Sequence, residues 1–315
     1  MNEQLTITAI VLGVIHNGIR LATPYIYAAI GETFSQKSGV LNLGVEGIML
    51  MGAFFGFYAV FQTESLLLGI IAAALIGALM GLFLCVVSIT YQAEQGISGI
   101  GLYMFGLGMS SLLFKTLLGT VEGVNGFRPL GFCFGSFCLS DIPIVGDILF
   151  DYSLMTYGAY ALIPIAWWVL NRTTWGLKVR AVGQNPEAAD SLGVSVTRVR
   201  YTAVTLGGAL AGIAGASLSI SLLNIFQENM TNGLGFIAVA LVYFGSWRPV
   251  GVLVGALLFS GVSALQLWVQ VLDLNIPSDV AVMMPYLLTI IALALPFRRA
   301  SQPAALTKPF TRGEN

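Results

Sequence analysis

Apolar runs long enough to cross a bilayer follow one another along almost the whole chain, with only short polar stretches between them. A hydrocarbon core of about 30 Å takes about 20 helical residues to cross. Runs of that order stand at residues 5–30, 40–60, 66–89, 97–118, 153–170, 201–223, 250–272 and 280–296. One more, 233–247, is too short to cross unaided and reads as a broken or re-entrant helix buried inside the bundle. The expected fold is an all-α polytopic membrane protein of about nine transmembrane helices, with eight and ten as the neighbouring counts. Residues 1–297 form the transmembrane domain, and 298–315 form a polar, proline-containing tail that reads as disordered.

Composition agrees, because 57% of the 315 residues are apolar and 9% are charged, against about 25% charged in soluble domains. Lipid has to supply the environment that a polar surface would otherwise face. The single histidine, His16, and three cysteines, Cys85, Cys133 and Cys138, leave no ligand set for a metal and no Ser/His/Asp constellation. The chain therefore reads as no enzyme. A net charge of −1 excludes a nucleic-acid binder, which needs bases to neutralise phosphates.

Residues 1–4 contain an acid and no base, and no small-residue cleavage site ends the first apolar run, so that run reads as a retained span. Lys and Arg collect in cytoplasmic loops. With residues 171–200 inside, one set of loops holds Lys37, Arg172, Lys178, Arg180, Arg198, Arg200, Arg248, Arg298, Arg299, Lys308 and Arg312, eleven of the fourteen bases. This orientation puts the N-terminus outside and the C-terminus inside. The loop 119–152 then lies outside, where Cys133 and Cys138 either form a disulfide or stay as two thiols.

Polar groups within the spans face the bundle interior or a water-filled path. His16 and Arg20 share a face of the first span, as Asn42 and Glu46 do on the second. Pro24 has no N–H to offer the carbonyl of Arg20, so a kink is expected there. Glu46, the only acid within these spans, is placed to pair with Arg20 and cancel two charges that lipid disfavours; direct contact with cargo is the alternative. Hydrogen-bonding and aromatic candidates for a path are Asn17, Asn42, Glu46, Ser98, Tyr103, Asn224, Gln227 and Phe236. Gly52 with Gly56, Gly77 with Gly81, Gly208 with Gly212, and Gly251 with Gly255 are small residues four apart, which let helix backbones approach closely.

The inside loop 171–200 is an island of charge between apolar runs. Asn185 suits an N-cap, Pro186 the first helical position, Glu187 and Asp190 the helix start, and Gly193 a left-handed stop. The two-turn helix over 186–192 is too short to stand alone. It needs the bundle on one side and a partner on the other, with Ala188 and Ala189 as a small docking surface.

The segment WGLKVRAVGQNPEAADSLGVSVTRVRYTAVTLGGALAGIAGA, residues 175–216, resembles the coupling-helix region of ABC-transporter permeases of the branched-chain amino acid, ribose and nucleoside importer group. The run SGVLNLGVEGIMLMGAF, residues 38–54, is similar to the second-helix motif of the nucleoside-type members. The resemblance implies a permease subunit in a bacterial cytoplasmic membrane, most similar to those importing nucleosides, with simple sugars and branched-chain amino acids as alternative cargoes. It also implies a second homologous permease, ATP-binding subunits that carry ATP and Mg, and an extracytoplasmic substrate-binding lipoprotein. Asn185, Pro186, Glu187, Ala188, Ala189, Asp190 and Gly193 would then couple ATPase motion to the bundle. The chain itself needs no cofactor. Its nearest approach to a phosphate loop, GETFSQKS at residues 31–38, has Gln36 where a glycine must let the backbone wrap phosphate. An ion-driven carrier working alone is the competing class, and it would place ionisable or unwound-helix sites near the midplane.

Overall fold

The computed structural model describes residues 7–119, 123–130, 133–134, 137–138, 150–271, 283–288, 290–291 and 302–312. Helix α1 (Ile7–Lys37) is followed by α2 (Val45–Thr63) and α3 (Leu66–Cys85), which ends in a π-helical turn, Val86–Thr90. Then come α4 (Gln95–Leu117) and two short strands, β1 (Cys133–Phe134) and β2 (Phe137–Cys138). After them run α5 (Leu154–Arg172), α6 (Thr174–Gln184), α7 (Pro186–Ser191) and α8 (Val196–Ser217), the last extended by a π turn, Leu218–Leu222. Helices α9 (Leu234–Phe244) and α10 (Pro249–Val271) complete the named helices.

Among the described residues, five stretches are long and apolar enough to cross a membrane: Val45–Thr63, Leu66–Thr90, Gln95–Leu117, Val196–Leu222 and Pro249–Trp268. Helix α1 is longer, but it carries Arg20, Glu32 and Lys37. The expected span at 280–296 lies largely outside the described residues, as do the side chains of Cys133 and Cys138. The backbone sets those two residues opposite each other in an antiparallel pair, a strand element that an all-helical reading left out.

Helix α8 is the axis of the bundle, packing on α1, α2 and α3. The small residues make this possible. A Cβ at Gly212 would sit on the carbonyl oxygen of Ala73, one at Gly52 on that of Gly212, and one at Gly208 on that of Gly77. Three of the four spaced glycine pairs thus meet around one helix, where close backbone approach replaces the hydrophobic drive that lipid removes. The outer faces of α3, α4 and α10 stay apolar and exposed, through Leu75, Leu79, Phe83, Met104 and Val254 among others.

Local signals start the helices. The Ser65 hydroxyl accepts from the Leu68 N–H, and the Glu94 carboxylate accepts from the N–H groups of Gly96 and Ile97. Those two bonds hold the Glu94 carboxyl below the usual carboxylate range. Helix α1 runs on as one helix through Pro24.

The short run at 233–247 holds a helix of half the spanning length. Helix α9 has 11 residues, about 16 Å at 1.5 Å per residue. Residues 223–233 precede it as non-helical chain, with Asn224, Asn229, Asn232 and Gly233 in the left-handed region (φ 58, 54, 40 and 86°). Arg20 lines one cavity with Ser221 and Asn224, whereas Lys37 lines another with Trp247 and Arg248. Those two residues are 17 positions apart on α1, about 25 Å along its axis. The chain from Asn224 to Arg248 therefore passes from one end of the bundle toward the other, part unwound and part helical.

The tail departs from expectation. Residues 302–312, read from sequence as disordered, are folded against the bundle with Ala305 and Leu306 buried. The Ala305 N–H donates to the Gly183 carbonyl at 3.0 Å and the Thr307 N–H to the Gly39 carbonyl at 3.1 Å. The buried Arg200 donates to the carbonyls of Ser38 (3.3 Å) and Lys308 (3.1 Å). Only a short apolar group, Ala305, Leu306 and Phe310, meets the core, and backbone pairing supplies the rest, so no long apolar run announces the contact.

Gly212→Ala is expected to lower the unfolding free energy by about 1–3 kcal/mol, the usual cost of overpacking. Gly108→Ala, where an added Cβ meets nothing within 4 Å, serves as the neutral control. Thermal unfolding of the two variants in detergent checks the difference; equal midpoints would refute the packing role of Gly212.

Candidate functional site

The residues expected to couple the chain to a motor form one rigid knob. The Asn185 side-chain oxygen accepts from the Ala188 N–H at 3.0 Å, and Pro186 opens α7 at a position whose N–H would be unpaired anyway. The Gly193 and Val194 N–H groups donate to the carbonyls of Asp190 and Ala189 at 2.8 and 3.0 Å. Gly193 has φ +80°, which a side chain adopts only under strain. Ala189 is buried beneath the helix, whereas Glu187 and Ala188 are exposed.

Sequence reasoning missed three parts of this knob. The first is α6, begun by the Thr173 hydroxyl accepting from the Gly176 N–H at 3.1 Å. Gly176, Val179, Val182 and Gly183 are its buried face, and their spacing was the signal that the surrounding bases obscured. The second is Leu192, 85% exposed at the tip, a large apolar side chain with no role in holding the knob. The third is Arg312, whose Nε donates to Asp190 Oδ2 at 2.9 Å, so the tail braces the knob from the side.

A second constellation surrounds the break before α9. Glu46 Oε1 accepts from Thr231 Oγ1 at 2.6 Å and from the Gly233 N–H at 2.7 Å, while Oε2 accepts from the Gly235 N–H at 2.6 Å. The carboxylate therefore caps the N-terminus of α9, where free N–H groups and the helix dipole favour negative charge. The expected pairing with Arg20 does not form. Arg20 Nη2 instead donates to the carbonyls of Leu222 (3.1 Å) and Ser221 (3.4 Å), at the end of the π turn that follows α8. Each charge is matched by a helix end, which a search for opposite side-chain charges could not reveal.

The path candidates divide by location. Tyr103 and Phe236 meet edge to face with ring centroids 5.2 Å apart, and Phe236 is 39% exposed. Asn42 is buried, its side-chain oxygen accepting from the Gly44 N–H at 2.9 Å, so it shapes the turn into α2. Ser98 donates to the Glu94 carbonyl beside an apolar groove that also includes Leu79 and Phe105. Gln227 is exposed and Asn17 half-buried. Asn224 joins His16 and Arg20 in a polar cavity of about 410 Å³ that also includes Arg128, Asp151 and Tyr152. There the His16 ring stacks on Tyr152 at 4.9 Å.

The stretch 31–38 that approaches a phosphate-loop pattern is the last turns of α1 and the residue after it. Ser35 and Gln36 are buried there, with Gln36 Oε1 accepting from Trp247 Nε1 at 2.7 Å. Among the described residues, no group of three or more His, Cys, Asp or Glu side chains is placed to hold a metal.

The family model described as "Branched-chain amino acid transport system / permease component" matches residues 14–293. The chain is similar to the guanosine ABC transporter permease protein of Bacillus subtilis, 35% identical over 302 residues, covering 93% of this chain and 94% of that protein. It is also similar to the nucleoside ABC transporter permease protein of Lactococcus lactis, 34% identical over 301 residues, with the same two coverages, 93% and 94%. A Haloferax volcanii protein provisionally named as a glucose ABC transporter permease is 40% identical over 265 residues, covering 83% of this chain and 79% of that protein.

Glu46→Gln is expected to destabilise the bundle by about 2 kcal/mol, because one carboxylate oxygen becomes an amide nitrogen among three donors and charge-assisted bonds weaken. Glu46→Ala should cost more, leaving all three donors unpaired. Thermal midpoints of the detergent-solubilised variants check the ranking, and two unshifted midpoints would refute the capping role.

Proposed function

The chain belongs to the branched-chain amino acid transport system / permease component family, and on that premise we propose that it is the membrane-spanning subunit of an ATP-driven nucleoside importer. The observation that carries the reading is the capped α7 knob, seated on Ala189 and presenting Glu187, Ala188 and Leu192 outward. A motor that closes around such a helix can move the bundle only if the helix does not fold away. The caps at Asn185 and Gly193, the α6 anchor and the Arg312 brace all resist that. ATP and Mg belong to the partner ATPase subunits, which suits a chain whose nearest phosphate-loop match lies within a helix.

Nucleosides are favoured as cargo by the relatives from Bacillus subtilis and Lactococcus lactis, which align over nearly the full length of both chains. The Tyr103–Phe236 pair supports the same choice, since partly exposed rings offer stacking to a planar base. A simple sugar is the second reading, favoured by the Haloferax volcanii relative.

The path runs along the Tyr103–Phe236 face, completed by a second, homologous permease that covers part of the exposed apolar surface. The polar cavity around His16 and Arg128 opens toward a substrate-binding lipoprotein outside. Lys37, Arg180 and Arg248 mark the cytoplasmic end. The chain crosses a bacterial cytoplasmic membrane nine times, with its N-terminus outside, its C-terminus inside, and the unwound stretch plus α9 making one of the crossings.

Purification in mild detergent, with identification of co-purifying chains and of the small molecule held by any binding protein, tests the assembly and the cargo. A glucose-loaded binding protein would replace nucleoside with sugar. Uptake driven by the isolated chain under an ion gradient would overturn the reading.

In the reconstituted complex, Glu187→Arg and Leu192→Asp are each expected to cut ATP-dependent uptake at least tenfold while leaving the thermal midpoint of the permease unchanged. Uptake at the normal rate in both would remove the knob from the mechanism.

A further inference from the structure

Lys37 from the end of α1, Arg180 from α6 and Arg248 from the turn before α10 converge on one cavity of about 480 Å³, whose wall is completed by Trp167, Asn171 and Trp247. Among the described residues, no acidic side chain lines it. Among the described residues the ion pairs are Lys115–Glu228 and Arg312–Asp190, so none of the three bases has an acid of its own. Arg180 Nε is buried without a hydrogen-bond partner. Burial, with Arg180 and Arg248 alongside, pushes the Lys37 ammonium below its ordinary value. Three cations gathered from three elements repel one another, and an anion among them would relieve that repulsion.

The geometry points to a binding site for the headgroup phosphate of an anionic phospholipid, formed by Lys37, Arg180 and Arg248 at the basic end of the bundle. Guanidinium groups match phosphate oxygens in pairs, and a lysine adds a point charge. A lipid is favoured over a free anion by what frames the cavity. Trp167 and Trp168 on α5 are 43% and 57% exposed, and Val250 and Val254 on α10 are both 55% exposed. Tryptophans of this kind sit at headgroup depth, and the exposed valines continue from the cavity along a face that acyl chains would cover. Basic pockets between transmembrane helices on the cytoplasmic side suit anionic headgroups. The site also joins α1, α6 and α10, so an occupied cavity would fix the base of the α7 knob to the bundle.

The test uses the full-length protein in detergent, titrated with phosphatidylglycerol, phosphatidylcholine, inorganic phosphate and ATP, and read by native mass spectrometry and thermal shift. Phosphatidylglycerol is expected to stay bound and raise the midpoint, and phosphatidylcholine is not. Arg248→Gln and Lys37→Gln should each weaken phosphatidylglycerol binding about fivefold. Arg248 is exposed, so its variant tests the site even if Arg180→Gln fails to fold. Equal stabilisation by phosphate or ATP would make this a free-anion site and overturn the lipid assignment. Unchanged phosphatidylglycerol affinity in Arg248→Gln would overturn it as well, whether or not that variant also lost its co-purifying ATPase and so marked the cavity as a protein contact.

Discussion

A helix that starts inside a bundle exposes backbone N–H groups that lipid cannot satisfy, and Glu46 is the answer to that problem. Each unpaired backbone group in such surroundings costs several kcal/mol. Hydrogen bonds of 2.7 and 2.6 Å from the Gly233 and Gly235 N–H groups remove the cost at the start of α9, and the Thr231 hydroxyl adds a third bond that holds the carboxylate in place. The same reasoning explains Arg20, which meets the carbonyls released where the helix through Leu222 ends. With both ends capped by charge, the chain can run unwound through residues 223–233 inside a membrane protein.

Rigidity elsewhere makes the break useful. Where Gly52, Gly77 and Gly208 bring α2 and α3 against α8, backbones touch and no side chain is left to yield. The α7 knob is joined to this packed core through α8, which begins five residues beyond α7 and whose first turns the buried Arg200 ties to Ser38 and Lys308.

Much of this was legible in the sequence because the governing physics is local or periodic. Apolar runs give spans, Asn185–Pro186 and Gly193 give the ends of α7, and small residues four apart mark the close-packed seam. The rest depends on residues far apart in the chain. Glu46 and Gly235 are 189 positions apart, and nothing in either neighbourhood announces the other. Pairing Glu46 with Arg20 treated the two charges as the only electrostatic partners available, whereas the chain supplied helix termini instead. The tail was misread for a related reason. Beside the buried Ala305 and Leu306, its contacts include backbone hydrogen bonds to Gly39 and Gly183, and such bonds leave no pattern of side-chain polarity to read.

Tail and knob hold one another in place. A six-residue helix has too few hydrogen bonds to persist by itself, so α7 holds its shape through what surrounds it. Asn185 closes one end, Gly193 the other, α6 anchors the base, and Arg312 reaches Asp190 from a segment more than a hundred residues later. The Arg312 contact is an exposed ion pair, worth at most about 1 kcal/mol, and it adds direction more than stability. It reaches the helix from the side, whereas the buried Ala189 contacts the bundle beneath. Leu192 at the tip is thus carried by a short helix that is capped at both ends and seated on the bundle, not by a loose loop.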